Sequence, residues 1–538
     1  MYSFTNYIKA AKNDVPASIV VFLVALPLCL GVALASKTPL FSGLIAGITG
    51  GIVVGLFSRS HLSVSGPAAG LTAIVATAMT TLPSYQAFLV AVVLCGVLQL
   101  AFGFLKAGIV GDYVPSSVIK GMLAAIGLIL ILNQVPHLLG DDSQFEVDES
   151  IQQQGKGNIF SNFINAFTNI NTSAFIIGGS CLLLHFVWEK IVAGKDGFLK
   201  LVPAPLLVVL LGMGIQFLFT ATGVSSPLEG NHLVRIPEAG SFSEFISFFT
   251  MPDWSQLTNT SVLSTAVVLA LVASLESLLS IEAVDDLDPY QRVTPTNREL
   301  KAQGVGNIVS GLFGGLPVTS VIVRSSANVN AGARTKMSTI YHGILLLLSV
   351  ALIPFVLNMI PKAALAAILI YTGYKLAKPS LFKMFFKKGW DQFLPFVITI
   401  IAILVTDLLK GVVIGIVIGL AFILYSNFRS AVLLVSDGQK YLIRLRKDVS
   451  FLNKPIVKRT LEEVPENAYV LIDASRADFI DKDIIEVIED FMKHAGLKNI
   501  EVEIKLSKSR DQGFSIPLSD PLGHGYSTIL AVPHTKSN

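Results

Sequence analysis

Two ionisable side chains stand inside otherwise apolar stretches of this chain. Arg324 closes the run Val321-Ile322-Val323-Arg324, and Glu276 lies midway along residues 262–282. A charge at membrane depth is costly, so such a side chain must face a cavity or a partner, and it marks a functional site. Arg324 would attract an anion. The alternative is a structural pair with an acid or with the C-terminal carbonyls of a helix.

Glu276 allows three interpretations. With Ser280, one turn later on the same helix face, it could hold Na⁺, since hard cations take oxygen ligands. It could instead carry a proton, or it could only pair with Arg324. The residues alone leave these alternatives open.

Two stretches rich in glycine and proline stand about 250 residues apart, Ser65-Gly66-Pro67-Ala68-Ala69-Gly70-Leu71-Thr72 and Gly314-Gly315-Leu316-Pro317-Val318-Thr319-Ser320. Each is followed by too few apolar residues to cross a bilayer. Paired short helices of this kind indicate a secondary transporter with inverted repeats. An anion would then lie between the two helix starts, where unpaired N–H groups and the helix dipole favour negative charge. The residues expected there, with Arg324, are Pro67, Ala68, Thr72, Ser320, Val321 and Ile322.

The hydroxyls in this region have two interpretations. Thr72 and Ser65 would either donate to the anion or form hydrogen bonds within their own helix, as serine and threonine often do.

Composition places these residues in a membrane. The 538 residues are 52% hydrophobic and only 14% charged, with a mean hydropathy of +0.66. A soluble domain carries about 25% charged residues. The net charge of +3 is too small to indicate a nucleic-acid partner. The chain is therefore predicted to be a polytopic membrane protein whose partner is the lipid bilayer.

Apolar runs predict fourteen spans within a transmembrane domain of residues 1–430. The spans of the first half are 15–35, 40–57, 67–80, 85–105, 116–134, 173–192 and 200–221. Those of the second half are 262–282, 302–314, 321–331, 337–358, 361–376, 392–408 and 411–427. Seven spans per half mean that the repeats, about 10–222 and 255–430, insert with opposite orientations.

Lysine and arginine concentrate in alternate connections, such as the one that holds Lys383, Lys387 and Lys388. The positive-inside rule predicts that both termini are cytoplasmic, and the cell membrane is the expected location.

Catalytic and metal-binding constellations are not expected. Cys29, Cys95 and Cys181 each sit within an apolar run, and the histidines form no ligand cluster. With no set of nucleophile, base and orienting residue, the sequence does not predict an enzyme or a cofactor. Na⁺ or H⁺ would serve only as a coupling ion.

After Arg429 the composition becomes that of a soluble protein. Residues 439–510 alternate strand and helix patterns, which predicts a small α/β domain. The predicted strands are Tyr441–Leu445, Tyr469–Asp473 and Ile500–Ile504, and the predicted helix is Lys482–Ala495. The tail of residues 511–538 is polar.

One ordered run carries a family resemblance: Asn297-Arg298-Glu299-Leu300, Gln303-Gly304, Gly306-Asn307, Gly311 to Pro317, Arg324-Ser325 and Gly332-Ala333-Arg334-Thr335. With Ala25-Leu26-Pro27 and Val64-Ser65-Gly66-Pro67, it closely resembles the sulfate permease (SulP) family of anion transporters. The C-terminal stretch from Phe451 to Asp481 is similar to that family's STAS domain.

The resemblance implies an all-α membrane domain of fourteen segments in a 7+7 inverted repeat, plus a small cytoplasmic α/β domain. Core and gate domains would be built as in uracil permease-like transporters. The third and tenth helices would meet head to head, and the core would move like an elevator against the gate. A homodimer joined partly through STAS domains is typical of the family, and sulfate or bicarbonate would be the anion.

Several positions depart from patterns within that family. Leu28 follows Pro27 where some proton-coupled members carry glutamate, and Ala68 stands where sodium–bicarbonate members carry threonine. Those members also carry aspartate at the position of Glu276. Val321 and Ile322 replace smaller or hydroxyl-bearing residues, so the identity of the anion stays open. An anion channel, an uncoupled anion exchanger and, less favoured by Arg324, a nucleobase permease are the alternatives.

In the C-terminal domain, Lys482 follows Asp481 where the STAS domains that act as phosphorylation switches carry serine. The resemblance therefore predicts that this switch is missing.

Overall fold

The computed structural model describes residues 4–109, 114–141, 163–164, 166–168, 170–192, 202–223, 226–406, 408–429, 432–445, 449–477 and 479–505. The predicted polar tail, residues 511–538, lies outside these ranges. The chain divides into two compact units, residues 1–416 and 417–538.

Seven helices, one of them short, form the first half of the membrane unit. They are α1 Phe4–Ala35, α2 Leu40–Thr49, α3 Thr72–Thr81, α4 Tyr85–Phe104, α5 Ser116–Leu139, α6 Thr172–Val192 and α7 Ala204–Thr222. A π-helical turn, Gly50–Val54, continues α2 to a last turn at Gly55–Phe57. Short helical turns at Gly230–His232, Phe242–Ser247 and Trp254–Thr258 lead to the second half.

The second half repeats this plan. Its helices are α8 Thr260–Leu287, α9 Thr296–Leu312, α10 Ile322–Asn330, α11 Met337–Leu352, α12 Lys362–Leu376, α13 Trp390–Val405 and α14 Leu408–Arg429. Two short helices, Pro354–Leu357 and Pro379–Lys388, lie in its connections. Within the described residues, seven of the helices are long and apolar enough to cross a membrane, and shorter apolar helices lie among the rest. This confirms the predicted helical membrane domain.

Proline and glycine set the helix limits. Pro115, Pro203 and Pro361 stand immediately before α5, α7 and α12, where a fixed φ suits a helix start and the missing N–H costs nothing. Gly140 and Gly223 end α5 and α7 with φ of 83° and 66°, a left-handed conformation that suits glycine.

Among the boundaries that differ from the prediction, two concern the residues that lead into α3 and α9. Pro67, expected in the third span, lies in strand β1 (Ser65–Pro67), and α3 begins only at Thr72 after a 3₁₀ turn at Ala69–Leu71. The ninth helix begins at Thr296 rather than at 302, because Pro295 starts it and its polar first turns still form helical hydrogen bonds.

The C-terminal unit is a four-stranded sheet with two helices. The strands are β3 Val432–Asp437, β4 Lys440–Leu445, β5 Tyr469–Asp473 and β6 Glu501–Lys505, in the order β3-β4-β5-β6. The first pair is antiparallel and the other two pairs are parallel. Helices α15 Lys454–Glu462 and α16 Lys482–Ala495 bury apolar side chains with the sheet. The predicted α/β unit is present, and β3 and α15 are additional to it.

Candidate functional site

Two short strands bring the two glycine–proline stretches together. Strand β1 pairs antiparallel with β2 (Val318–Ser320), so that Ser65 faces Ser320 and Pro67 faces Val318. All six residues of the pair are buried. Helix α3 follows β1 and α10 follows β2, so the two helices leave the crossing in opposite directions. The starts of both helices therefore lie close to one buried point.

Neither helix start has a side-chain cap. Ala68 precedes the 3₁₀ turn that leads into α3, and Val321 precedes α10, and neither has a side chain that accepts a hydrogen bond from the N–H groups of the helix start. The first N–H groups of a helix have no intrahelical partner, and the helix dipole adds partial positive charge there. Two such starts at one crossing make a place suited to an anion.

Arg324 lies in the first turn of α10 and is almost completely buried, with 1% of its surface exposed. Its Nη2 donates to the carbonyl oxygen of Pro67 across 3.4 Å. Gly66 makes this position possible, since Nη1 fills the space that a Cβ at residue 66 would take. Within the described residues, Nε and Nη1 have no hydrogen-bond partner, and no acid forms an ion pair with Arg324. The structural pair with an acid, weighed above, is thus absent from the described part of the chain.

Burial of an unpaired charge is expensive. Removing a charged group from water costs several kcal/mol unless another charge and further hydrogen bonds compensate it. Planar guanidinium donors match the oxygens of a small oxyanion in pairs. The two unused nitrogens of Arg324 therefore offer a receptor for an anion.

Glu276 lies on α8 with its carboxyl group against the start of α3. A Cβ placed on Gly70 would lie 2.5 Å from Oε1 and 2.6 Å from Oε2, so only glycine leaves room for this carboxyl. Its Oε2 is buried and has no hydrogen-bond partner among the residues described. Ser280, one turn further along α8, is buried. Both charges of the predicted site thus reach the β1–β2 crossing through neighbouring glycines.

The other predicted site residues are placed as follows. Thr72 Oγ1 donates to the carbonyl of Ala69 at 2.7 Å, so this hydroxyl proton is used within its own turn. Ser320 Oγ lies 2.5 Å from Ser63 Oγ. Val321 and Ile322 are half-buried at the start of α10. Since the Thr72 hydroxyl is engaged locally, Nε and Nη1 of Arg324 are the side-chain donors at the crossing that have no partner among the described residues.

Two serines that the sequence does not single out also lie at the crossing. Ser277 Oγ accepts a hydrogen bond from the Ser320 backbone N–H at 3.3 Å, and Ser63 contacts the Ser320 hydroxyl. Ser277 directly follows Glu276 in the sequence, and its position next to a predicted site residue is the feature that could have indicated its role.

The crossing is held by a buried amide on α9. Asn307 Oδ1 accepts from the Val318 backbone N–H at 2.6 Å, and its Nδ2 donates to the Val318 carbonyl and to Gln99 Oε1. The side chain therefore pairs with both the backbone N–H and the carbonyl of Val318, which lies in a sheet of only two strands.

A second amide on α9 connects the other strand to a buried acid. Gln303 Nε2 donates to Ser65 Oγ and to Glu299 Oε1, each at 2.8 Å. Ser58, just after α2, donates to Glu299 Oε2 at 2.5 Å. Gln303 and Asn307 of the family-like run thus hold the two strands in place.

A helical membrane unit of two repeats whose short helices meet at one buried point is typical of a secondary transporter. The model of the sulfate permease family matches residues 12–402, and the chain belongs to that family. It is therefore a transporter and not an enzyme.

Relatives support this class. A sodium-independent sulfate anion transporter of Bos taurus is 25% identical over 518 residues, which cover 90% of this chain and 82% of that protein.

Solved structures share the fold. The transmembrane domain of a cyanobacterial bicarbonate transporter, BicA, superimposes with a TM-score of 0.62 at 22% identity, over 77% of this chain and 98% of that one. Murine SLC26A9, an anion transporter solved in an inward-facing state, gives a TM-score of 0.71 at 16% identity, over 94% of this chain and 86% of that one.

Proposed function

We propose that this chain is a secondary active transporter of sulfate or bicarbonate that binds the anion between the starts of α3 and α10. The observation that carries the proposal is the buried guanidinium of Arg324, whose Nε and Nη1 have no partner among the described residues. An oxyanion would complete the hydrogen bonds of these nitrogens and neutralise the charge. A nucleobase permease is disfavoured, because a neutral base would leave that charge uncompensated.

Glu276 is the proposed coupling group. Its carboxyl lies at the same helix start that would receive the anion, so its charge and the anion's charge repel each other. A bound Na⁺ or a proton on the carboxyl would remove this repulsion, and either ion would then favour anion binding. Ser280 is the expected second ligand if the ion is Na⁺.

Conformational change and assembly follow the family expectation. The proposed transport domain is residues 1–430, with core and gate domains formed from both repeats and an elevator movement between them. Residues 439–510 are proposed to be a cytoplasmic STAS domain, with both chain termini cytoplasmic and the protein a homodimer in the cell membrane. The antiparallel β1–β2 pair supports the inverted repeat on which this scheme depends.

Uptake by the full-length protein in proteoliposomes tests the proposal. Labelled sulfate and bicarbonate are offered separately, with a Na⁺ gradient or a proton gradient imposed in turn. We expect one anion to accumulate above equilibrium under one of the gradients. Flux that only follows the membrane potential would identify an anion channel instead, and no flux of either anion would refute the proposal.

A further inference from the structure

A short helix between α12 and α13 presents a surface that anion transport does not explain. The helix, Pro379–Lys388, has the sequence Pro-Ser-Leu-Phe-Lys-Met-Phe-Phe-Lys-Lys. It connects two membrane helices, so it lies at one face of the membrane unit. Gly389, with φ of 110°, turns the chain from this helix into α13.

One side of the helix is fixed to α13 by aromatic packing. Phe385 is 1% exposed and stacks on Phe396, with 4.7 Å between ring centroids and 7° between ring planes. Phe382 meets the same ring edge-on at 5.1 Å. The helix is therefore packed against α13, and this packing fixes which side chains of the helix are exposed.

The opposite side combines aromatic rings with ammonium groups. Phe386 is 60% exposed and Trp390 is 65% exposed, and their centroids lie 6.0 Å apart. The exposed lysines of the same segment are Lys378, Lys383, Lys387 and Lys388, and Lys388 Nζ lies 5.0 Å from the ring centroid of Phe385. We call these six side chains the basic–aromatic surface.

This surface carries an excess of positive charge. From residue 376 to residue 390 the sequence contains no acid, and Asp391 follows Trp390. Lys375, one residue before that stretch, is paired with Glu189 at 2.8 Å. Within the described residues, none of the four lysines of the surface has a carboxylate partner.

We propose that the basic–aromatic surface binds the headgroups of anionic phospholipids. Tryptophan and phenylalanine favour the depth of the headgroups, where the ring is half in hydrocarbon and half in water. Clustered lysines beside a membrane helix attract anionic headgroups within a Debye length. Charge complementarity favours an anionic lipid over a zwitterionic one, and the exposed rings favour a bilayer over a soluble acidic protein.

Trp390 can report this contact directly. The chain has three tryptophans, and replacing Trp188→Phe and Trp254→Phe in the full-length protein leaves Trp390 as the single fluorophore. Fluorescence is then compared in bilayers that contain the same mole fraction of brominated phosphatidylglycerol or of brominated phosphatidylcholine. We expect the anionic lipid to quench Trp390 as if it were enriched at least about threefold.

The lysines provide the discriminating variants. Lys383→Gln/Lys387→Gln/Lys388→Gln should abolish the preference for phosphatidylglycerol. The control variant, Lys482→Gln/Lys493→Gln/Lys498→Gln, removes the same charge from exposed sites of the C-terminal unit. This control should retain the preference for phosphatidylglycerol. In the protein that keeps all its lysines, high salt should weaken the preference for phosphatidylglycerol. This measurement does not depend on whether a lysine variant folds. Equal quenching by both lipids, or a preference that survives loss of the three lysines, would overturn the proposal.

Discussion

Gly66 leaves room for the guanidinium group of Arg324. Nη1 of the arginine lies where a side chain at residue 66 would begin, and Nη2 donates to the carbonyl of the next residue, Pro67. A glycine of the first repeat thus lies against the charged side chain of the second repeat. The proposed anion site is therefore built from residues of both halves of the chain.

Gly66→Ala should displace the guanidinium while leaving the fold intact, because the crowded atom is the far end of a flexible side chain. Loss of a charged hydrogen-bond donor predicts weaker anion binding by about tenfold to a hundredfold. Equilibrium binding of labelled sulfate or bicarbonate to the purified protein measures this change. Gly214→Ala is the matched control, since a Cβ there meets no atom within 4 Å. Unchanged affinity in Gly66→Ala would contradict the role given to this contact.

Glu276→Gln should remove the dependence of uptake on the driving ion gradient and leave anion exchange partly active. The amide keeps the shape of the carboxyl but carries no charge to be neutralised by Na⁺ or H⁺. Glu282→Gln, at an exposed position of the same helix, should behave like the parent protein. Ser280→Ala separates the two ions, because it should weaken a Na⁺ response and leave a proton response unchanged. Gradient dependence that persists in Glu276→Gln would rule out this residue as the coupling group.

Asn307→Ala should destabilise the membrane unit. The substitution leaves the backbone N–H and carbonyl of Val318 without their partner in a buried strand, at a cost of about 2–3 kcal/mol. Thermal unfolding in detergent should show a lower midpoint. Asn330→Ala, at the exposed end of α10, should leave the midpoint close to that of the parent. Equal midpoints for both variants would show that the amide does not support the crossing.

The C-terminal unit should lose stability in acid through Asp473. Burial acts to raise the pKa of this carboxyl, but hydrogen bonds from Ser475 and the ion pair with Arg444 hold the pKa below its usual value. A lowered folded pKa means that the ionised group stabilises the fold at neutral pH and that this contribution is lost as pH falls through the folded pKa, below 3.8.

Hydrogen exchange of the β4 and β5 amides in the full-length protein measures this effect. Asp473→Asn should raise exchange at neutral pH and reduce the further change in acid. Asp490→Asn, exposed on α16, should not. Identical acid sensitivity in Asp473→Asn and the parent would contradict the linkage.

Much of the membrane fold follows from the sequence. The apolar runs predict spans that begin at residues 40, 85, 116 and 337, and these are the starts of α2, α4, α5 and α11. The opposed directions of the two glycine–proline stretches followed from counting seven spans per half. Both depend on local chemistry and chain length, which the sequence records directly.

The details of the crossing do not follow from the sequence in the same way. Pro67 was expected in a helix, yet it pairs with Val318 from the other repeat, a contact between residues about 250 positions apart. Gln303 and Asn307 were recognised only as parts of a family-like run. Their roles depend on which strand atoms face α9, and this tertiary contact has no signature in local periodicity.

In the C-terminal unit, β3 and α15 were missed for local reasons. Only residues 430 and 431 separate Val432–Asp437 from the end of α14, so this short strand is hard to distinguish from the end of the membrane helix. Lys454–Glu462 is short and mostly polar, so its apolar face gives only a weak periodic signal.

Binding of labelled anion to the purified Arg324→Ala and Arg324→Lys variants tests the central claim most directly. We predict that sulfate or bicarbonate binds the parent protein, that Arg324→Ala abolishes this binding, and that Arg324→Lys recovers it only in part, because lysine keeps the charge and loses the planar pair of donors. Anion affinity in Arg324→Ala equal to that of the parent would contradict the account, since the anion would then be held without the one buried charge assigned to it.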